Sequence, residues 1–242
     1  AKKRGARIIH VDPRYTRTSA FANRHIGIRG GTDVVLLGAI IKYVLDNDLY
    51  FRDYVVNYTN AASIISPDYQ DTEDLEGLFS GYDSETGKYV TDSWQYVRKP
   101  EGSSWNVEKD PTLEHPNSVF QILKRHYSRY TPEVVEETCG ISPEDFYYLA
   151  DSIAKNSTPE RTTCFAYALG FTQHTLGAQF IRTAAILQLL MGNVGRPGSG
   201  IMALRGHASI QGSTDIPTLF NSLPGYLPCL LYTSPSPRDK RQ

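Results

Sequence analysis

The chain has 242 residues, 40% of them hydrophobic, which is enough for one large domain or two ordinary ones around a proper core. Its 25 basic residues are balanced by 26 acidic ones, so it lacks the positive excess that draws a long polyanion, and nucleic acid is excluded as a partner. No apolar run reaches the roughly 18 to 20 residues that span a bilayer, so no direct membrane span is expected.

The opening AKKRGA reads as the basic end of a helix feeding a strand, so the sequence is expected to start inside a longer protein, downstream of any export signal. RIIHV (7–11) is a short apolar run that predicts a buried strand, closed by Asp12-Pro13-Arg14. An aspartate at a strand's carboxyl end can accept from a ribose hydroxyl or a purine amino group, and Arg14, Thr16 and Arg17 suit phosphate. The same residues also make an ordinary strand-ending turn. IGI (26–28) then leads through Gly30-Gly31-Thr32-Asp33 into the apolar-periodic helix VVLLGAIIKYVLDN (34–47), with Thr32 or Asp33 as its cap. The free N–H groups of its first turn serve an anion or the helix's own cap.

Residues 61–118 are polar and rich in Tyr, Trp, Gly and Pro, which predicts an inserted excursion carrying a hairpin. Residues 117–156 read as three short helices, the last opened by Ser142-Pro143-Glu144-Asp145, a cap followed by proline and first-turn acids. The opening plan then recurs: TTCFAYAL (162–169) as a strand, GFTQHTLG (170–177) as a loop, and AQFIRTAAILQLLMG (178–192) as a helix closed by Gly192-Asn193. Strand, polar glycine turn, helix is the unit of a parallel α/β sheet, whose ligands sit beyond the strands' carboxyl ends. Three such turns are expected to line one edge of one sheet, a surface suited to an extended nucleotide. No GxGxxG follows a strand and the Walker phosphate loop is missing, which excludes a generic NAD or ATP site.

GSGIMALRGHASIQGSTD (198–215) sets Arg205, His207 and Gln211 among Gly198, Gly200, Gly206 and Gly212. Arg205 offers a planar fork that matches a carboxylate, and Gly206 clears space beside it. His207 can donate to a cofactor, relay a proton, or be a hydrogen-bonded core histidine. Ser209 and Gln211 suit the edge of a fused heterocycle. Cys139, Cys164 and Cys229 lack CxxC spacing, so neither a zinc nor an iron–sulfur site nor any metal ligand is expected in this segment. CLLYTSPSPRDKRQ (229–242) has no apolar period, and its first part back-translates to the adapter of a transposon-based sequencing library, so it is expected to be a non-native tail.

Taken together, VDPRYTRT, IRGGTD, ALGFTQHTLGAQ, LLMGNVGRPGSGIMALRGHASIQGSTD and LPGYLP resemble the catalytic alpha subunits of formate dehydrogenases in the molybdopterin oxidoreductase family. The excursion GYDSETGKY…SW…DPTLEHP…HYSRYTPE is most similar to the respiratory, membrane-associated branch. The resemblance runs over roughly residues 5–228. It implies parallel-sheet α/β/α sandwich domains, incomplete here at both ends: a cofactor-binding segment 1–60, the insertion 61–118, and a second cofactor-binding segment 119–228 with the active-site loop. It implies molybdenum or tungsten held by two molybdopterin guanine dinucleotides, and a [4Fe–4S] cluster in an N-terminal part not present in this sequence. It implies formate as substrate, an iron–sulfur beta subunit and a membrane cytochrome b gamma subunit as partners, and a periplasmic location at the inner membrane.

Carried over position by position, the resemblance makes Arg205 the residue that holds formate and gives His207 a neighbouring cofactor-side place. Asp12, Arg14, Gly31, Asp33, Gly170, Phe171, Gln173 and Gln211 fall on motifs that cradle the dinucleotides. The cluster cysteines, the metal-ligating residue and its histidine have no counterpart in this sequence, so the chain alone is expected to be inactive. A related enzyme for another small oxyanion such as nitrate, or a non-catalytic nucleotide-binding module, are the alternatives.

Overall fold

A computed structural model describes residues 2–99 and 106–204, together with the backbone of 222–223 and 227–228. Contacts divide the chain into a large unit of residues 1–165 and 170–201 and a small one of 166–169 and 202–242.

In the large unit, strand β1 (Ile9–Val11) is followed by helix α1 (Arg17–Phe21), strand β2 (Arg24–Ile26), the long helix α2 (Asp33–Asp46) and the short helix α3 (Arg52–Tyr58). The excursion carries the hairpin β3 (Tyr82–Asp83) and β4 (Lys88–Tyr89), antiparallel as predicted. Helices α4 (Val119–Tyr127), α5 (Pro132–Cys139) and α6 (Pro143–Lys155) are the three expected from 117–156. Each opens on a side-chain cap: Ser118, Thr131 and Ser142 accept from the backbone N–H three residues on, and α5 and α6 begin with proline. Strand β5 (Cys164–Tyr167), the single turn α7 (Leu169–Thr172), helix α8 (Gly177–Leu190) and strand β6 (Gly200–Ala203) follow. In the small unit, strands β7 (Ser222–Leu223) and β8 (Leu227–Pro228) form an antiparallel pair.

Helix α2 is the centre of the large unit. Leu36, Leu37, Ala39, Ile40, Ile41, Val44 and Leu45 are all buried, because α8, α5, α4 and α6 cover it on several sides. A helix that is apolar nearly all round belongs inside a bundle rather than on a surface. Gly38 lets Tyr130 approach: a Cβ there would lie 2.7 Å from the Tyr130 ring.

The α/β class matches expectation, and β1 and β2 pair in parallel, whereas the expectation of one sheet edge does not hold among the described residues. Their strands form four separate two-stranded pairs, β1–β2, β3–β4, β5–β6 and β7–β8. With strands of only two to four residues, the ladders are too short to organise the unit, and the packing of α8 on α2 does so instead. No helix among the described residues is long and apolar enough to cross a membrane.

Candidate functional site

Helices α2 and α8 run in the same direction. Phe51, just beyond the end of α2, donates its N–H to the carbonyl of Leu190 at the end of α8 over 2.9 Å. At their other ends, Asp33 opens α2 and faces His174, which lies in the turn that opens α8. Two helix N-termini therefore meet, each carrying partial positive charge and free N–H groups.

Each turn has its own anchorage. Thr32 does not cap α2 with its side chain; its hydroxyl donates back to the Arg29 carbonyl over 2.8 Å, closing the turn on itself. The Arg29 guanidinium reaches the Glu137 and Thr138 carbonyls at the end of α5, and the Arg29 N–H donates to the Cys139 carbonyl at 2.9 Å. Helix α5 can stop there because Gly140 takes the left-handed conformation, φ 71°. The Cys139 thiol lies 3.5 Å from the Thr32 carbonyl, and burial pushes its pKa up, so it is a neutral packing group. Gly31 sits at φ +87°, a conformation glycine adopts without penalty, and a Cβ there would lie 3.8 Å from the His174 Nδ1.

The second turn was expected to be a plain loop after β5. Residues 169–172 instead wind into one helical turn, because Gly177 permits a tight return: a Cβ at Gly177 would lie 2.6 Å from the Phe171 carbonyl oxygen and 2.8 Å from that of Thr172. The Phe171 ring packs edge-on to the buried Phe180 at 6.2 Å, and His174 lies against the same ring at 5.4 Å. Gly170, Gln173 and His174 are exposed, and Cβ atoms added at Gly30 or Gly170 would meet nothing within 4 Å.

Asp33 is the chemically distinctive group. Burial pushes its carboxyl above the ordinary carboxylate value, with its own backbone N–H and the charge of His174 pulling the other way. A partly dehydrated acceptor beside two helix N-termini and open glycines can take an N–H or O–H donor from a ligand whose anionic part lies on the free N–H groups.

Asp12 and Arg14 make their contacts in the β1–β2 layer. The Asp12 N–H donates to the Ile26 carbonyl at 3.1 Å, and its Oδ1 accepts from the Arg14 N–H at 2.7 Å. Arg14, Tyr15, Thr16, Arg17 and Ala20 line a shallow surface concavity of about 480 Å³. Of the residues expected from sequence, the structure brings Gly31, Asp33, Gly170, Phe171 and Gln173 to one place and leaves Asp12 and Arg14 on the neighbouring strand pair. Arg205, His207 and Gln211 lie outside the described residues. His174 was overlooked: it stands in the quoted GFTQH, but a lone histidine in a turn carries no signal until the first turn is packed beside it. Among the described residues no three His, Cys, Asp or Glu side chains are grouped as a metal site would need.

A family model described as molybdopterin oxidoreductase matches residues 1–225. The major subunit of the nitrate-inducible formate dehydrogenase of Escherichia coli is 49% identical over 222 residues, covering 92% of this chain and 21% of that protein. Formate dehydrogenase 2 subunit alpha (cytochrome c-553) of Nitratidesulfovibrio vulgaris is 44% identical over 226 residues, 93% of this chain and 22% of that protein. The chain thus spans about a fifth of the length of the curated relatives it matches. A solved structure, acetylene hydratase from Pelobacter acetylenicus, overlays 79% of this chain and 18% of its own at TM-score 0.48 and 18% identity, too loosely to carry an argument.

Proposed function

The chain belongs to the molybdopterin oxidoreductase family, and on that footing we propose that it is part of the large subunit of a formate dehydrogenase, working within the whole protein in the oxidation of formate to carbon dioxide. The observation that carries this reading is the meeting of the α2 and α8 N-termini, where Gly31, Asp33 and His174 converge beside open glycines.

These residues fit a guanine dinucleotide form of the cofactor. Gly30, Gly31 and Gly170 leave room for a bulky ring system, the helix N-termini suit its diphosphate, and the Asp33 carboxylate can accept from a guanine N–H. Arg14 and Arg17, exposed after β1, suit further phosphate, and Gln173 and Gln211 suit polar ring edges. Phe171 acts from beneath, anchoring its turn on Phe180. When bound, a molybdenum or tungsten bis(molybdopterin guanine dinucleotide) supplies the two-electron acceptor, and a [4Fe–4S] cluster elsewhere in the whole protein carries the electrons away.

The chain's own contribution to turnover is to hold and orient the substrate. Arg205 is proposed to pair with both formate oxygens through its planar fork, which binds the substrate and fixes the direction of its C–H bond. His207, two residues on in the sequence, is proposed as a hydrogen-bond donor to the cofactor or a proton relay. An iron–sulfur beta subunit and a cytochrome b gamma subunit are the proposed electron partners, at the periplasmic face of the inner membrane.

The test is made in the full-length subunit. Arg205→Ala is expected to lower formate turnover by about a hundredfold or more, and Arg205→Lys to recover only part of it, because an ammonium cannot make the fork. Unchanged formate kinetics in the alanine variant would overturn the assignment.

A further inference from the structure

The turn that follows β1 is held by two histidines that the functional reading leaves without a role. His10 on β1 and His25 on β2 are directly paired in the parallel ladder, so their rings lie on the same face of the strand pair, with centroids 5.8 Å apart. Both rings turn toward Asp12. The His25 Nε2 lies 2.9 Å from the Asp12 main-chain carbonyl oxygen, and the His10 Nε2 lies 3.7 Å from the Asp12 Oδ2.

The partner of His25 assigns its proton. A carbonyl oxygen can only accept, so His25 carries a hydrogen on Nε2 and donates it to Asp12. At His10 the other ring nitrogen, Nδ1, is 2.9 Å from the Ser19 hydroxyl, which itself accepts from the Thr16 N–H at 2.8 Å. Ser19 is buried, and its hydroxyl holds the His10 Nδ1, so the His10 ring stays beside the carboxylate. The other carboxylate oxygen is occupied by the Arg14 N–H. Asp12 is thus gripped at its carbonyl and at Oδ1, with the His10 ring beside Oδ2, while Ser19 ties down Thr16 at the far end of the same turn. Between these fixed points Arg14, Tyr15 and Arg17 project outward, Tyr15 two-thirds exposed at 67% and set edge-on to the His25 ring at 5.2 Å.

We infer that His10 and His25 are positioning residues for ligand binding at the Asp12–Arg17 turn: His25, donating from Nε2 to the Asp12 carbonyl, and His10, set beside the Asp12 carboxylate, hold Arg14, Tyr15 and Arg17 in the arrangement that takes the phosphate end of a nucleotide. The inference deepens the proposed function and rests on its nucleotide-binding reading. A turn ordered beforehand loses less freedom on binding, so the imidazoles act on affinity without touching the ligand.

The experiment uses the 242-residue chain with guanosine diphosphate as probe, read by isothermal titration, and a long-range 1H–15N spectrum of the imidazoles. The spectrum is expected to show the Nε2–H tautomer for His25; an Nδ1–H tautomer there overturns the inference. His25→Phe, which keeps ring packing and loses the donor, is expected to weaken guanosine diphosphate about tenfold, and His25→Gln, whose amide nitrogen can stand in for Nε2, to restore it to within about threefold. Equal weakening in both variants, tracking a lowered melting temperature, marks a merely structural role and overturns the inference. Wild-type affinity in His25→Phe overturns it while leaving the functional reading intact. A wild-type chain that binds no guanosine diphosphate overturns the nucleotide reading itself, and this inference with it.

Discussion

Asp33 and His174 face each other where two helices begin, although most of the chain's length separates them in sequence. The carboxyl is pushed up by burial, so the folded chain holds its proton more tightly than the unfolded chain does. The stability Asp33 contributes is therefore full below its ordinary value of 3.8 and is lost as pH rises through the raised folded value. Asp33→Asn is expected to remove that component, raising the melting temperature at pH 7 by about 1 to 2 °C relative to wild type, while weakening guanosine diphosphate about tenfold. Scanning calorimetry at pH 4 and pH 7 checks the first half, and titration the second. A lower melting temperature at pH 7 would assign Asp33 to structure instead of binding.

Gly177→Ala tests how the second turn is built. Its Cβ has nowhere to go but into the Phe171 and Thr172 carbonyl oxygens, so the turn must shift. A stability loss of about 1 to 3 kcal/mol is expected in urea unfolding, in spite of alanine's better helix propensity. Gly30→Ala, where the added methyl meets open space, is the matched control and should cost well under that.

At Asp110, acidification should have the opposite sign from that at Asp33. Its carboxylate accepts from the Thr112 hydroxyl at 2.5 Å and from the Thr112, Glu114 and His115 N–H groups at 2.7 to 2.8 Å, which holds its pKa down to about 2. Its contribution is present above the ordinary carboxylate value of 3.8 and is lost as pH falls from there toward 2. Asp110→Ala should lower the melting temperature at pH 7 by about 5 °C, and the gap between variant and wild type should close by pH 2.

Gln188 is wholly buried in α8 and joins three separate segments. Its amide donates to the Thr163 and Gly200 carbonyls at 3.0 and 2.7 Å, and its oxygen accepts from the Asn193 amide at 2.7 Å. Asn193 in turn donates to the Ser157 hydroxyl at 2.9 Å. Gln188→Leu keeps the volume and strands those groups, so a loss of about 2 to 4 kcal/mol is expected in equilibrium unfolding. Gln188→Glu, which loses the donors, should fare no better.

Local chemistry made much of this legible. Ser142-Pro143 opens α6 where capping rules put it, and the apolar period of 34–47 predicted α2. Gly31 and Asp33 stand out in the sequence by their place before that helix, and both lie at its start. What could not be read was long-range: that His174 meets Gly31, that Gly177 winds 169–172 into a turn, and that Gln188 is a buried junction rather than one polar residue on a helix. Each depends on α8 lying along α2, and no spacing in the sequence encodes the partner of a helix. The single sheet edge failed for the same reason, since turn chemistry tells that a strand ends but not which strand lies beside it.

The excursion between α3 and α4 leaves and returns at almost the same point. The Ile65 N–H donates to the Asn117 carbonyl, the Val119 N–H to Ser63 and the Phe120 N–H to Ala61, all within 2.9 to 3.0 Å. A segment stapled so tightly at its own neck behaves like an appendage on a fixed bracket. Residues can be added to it or cut from its far end without the helix starts at Asp33 and Gly177 registering the change, so this stretch is where related chains are free to differ most in length.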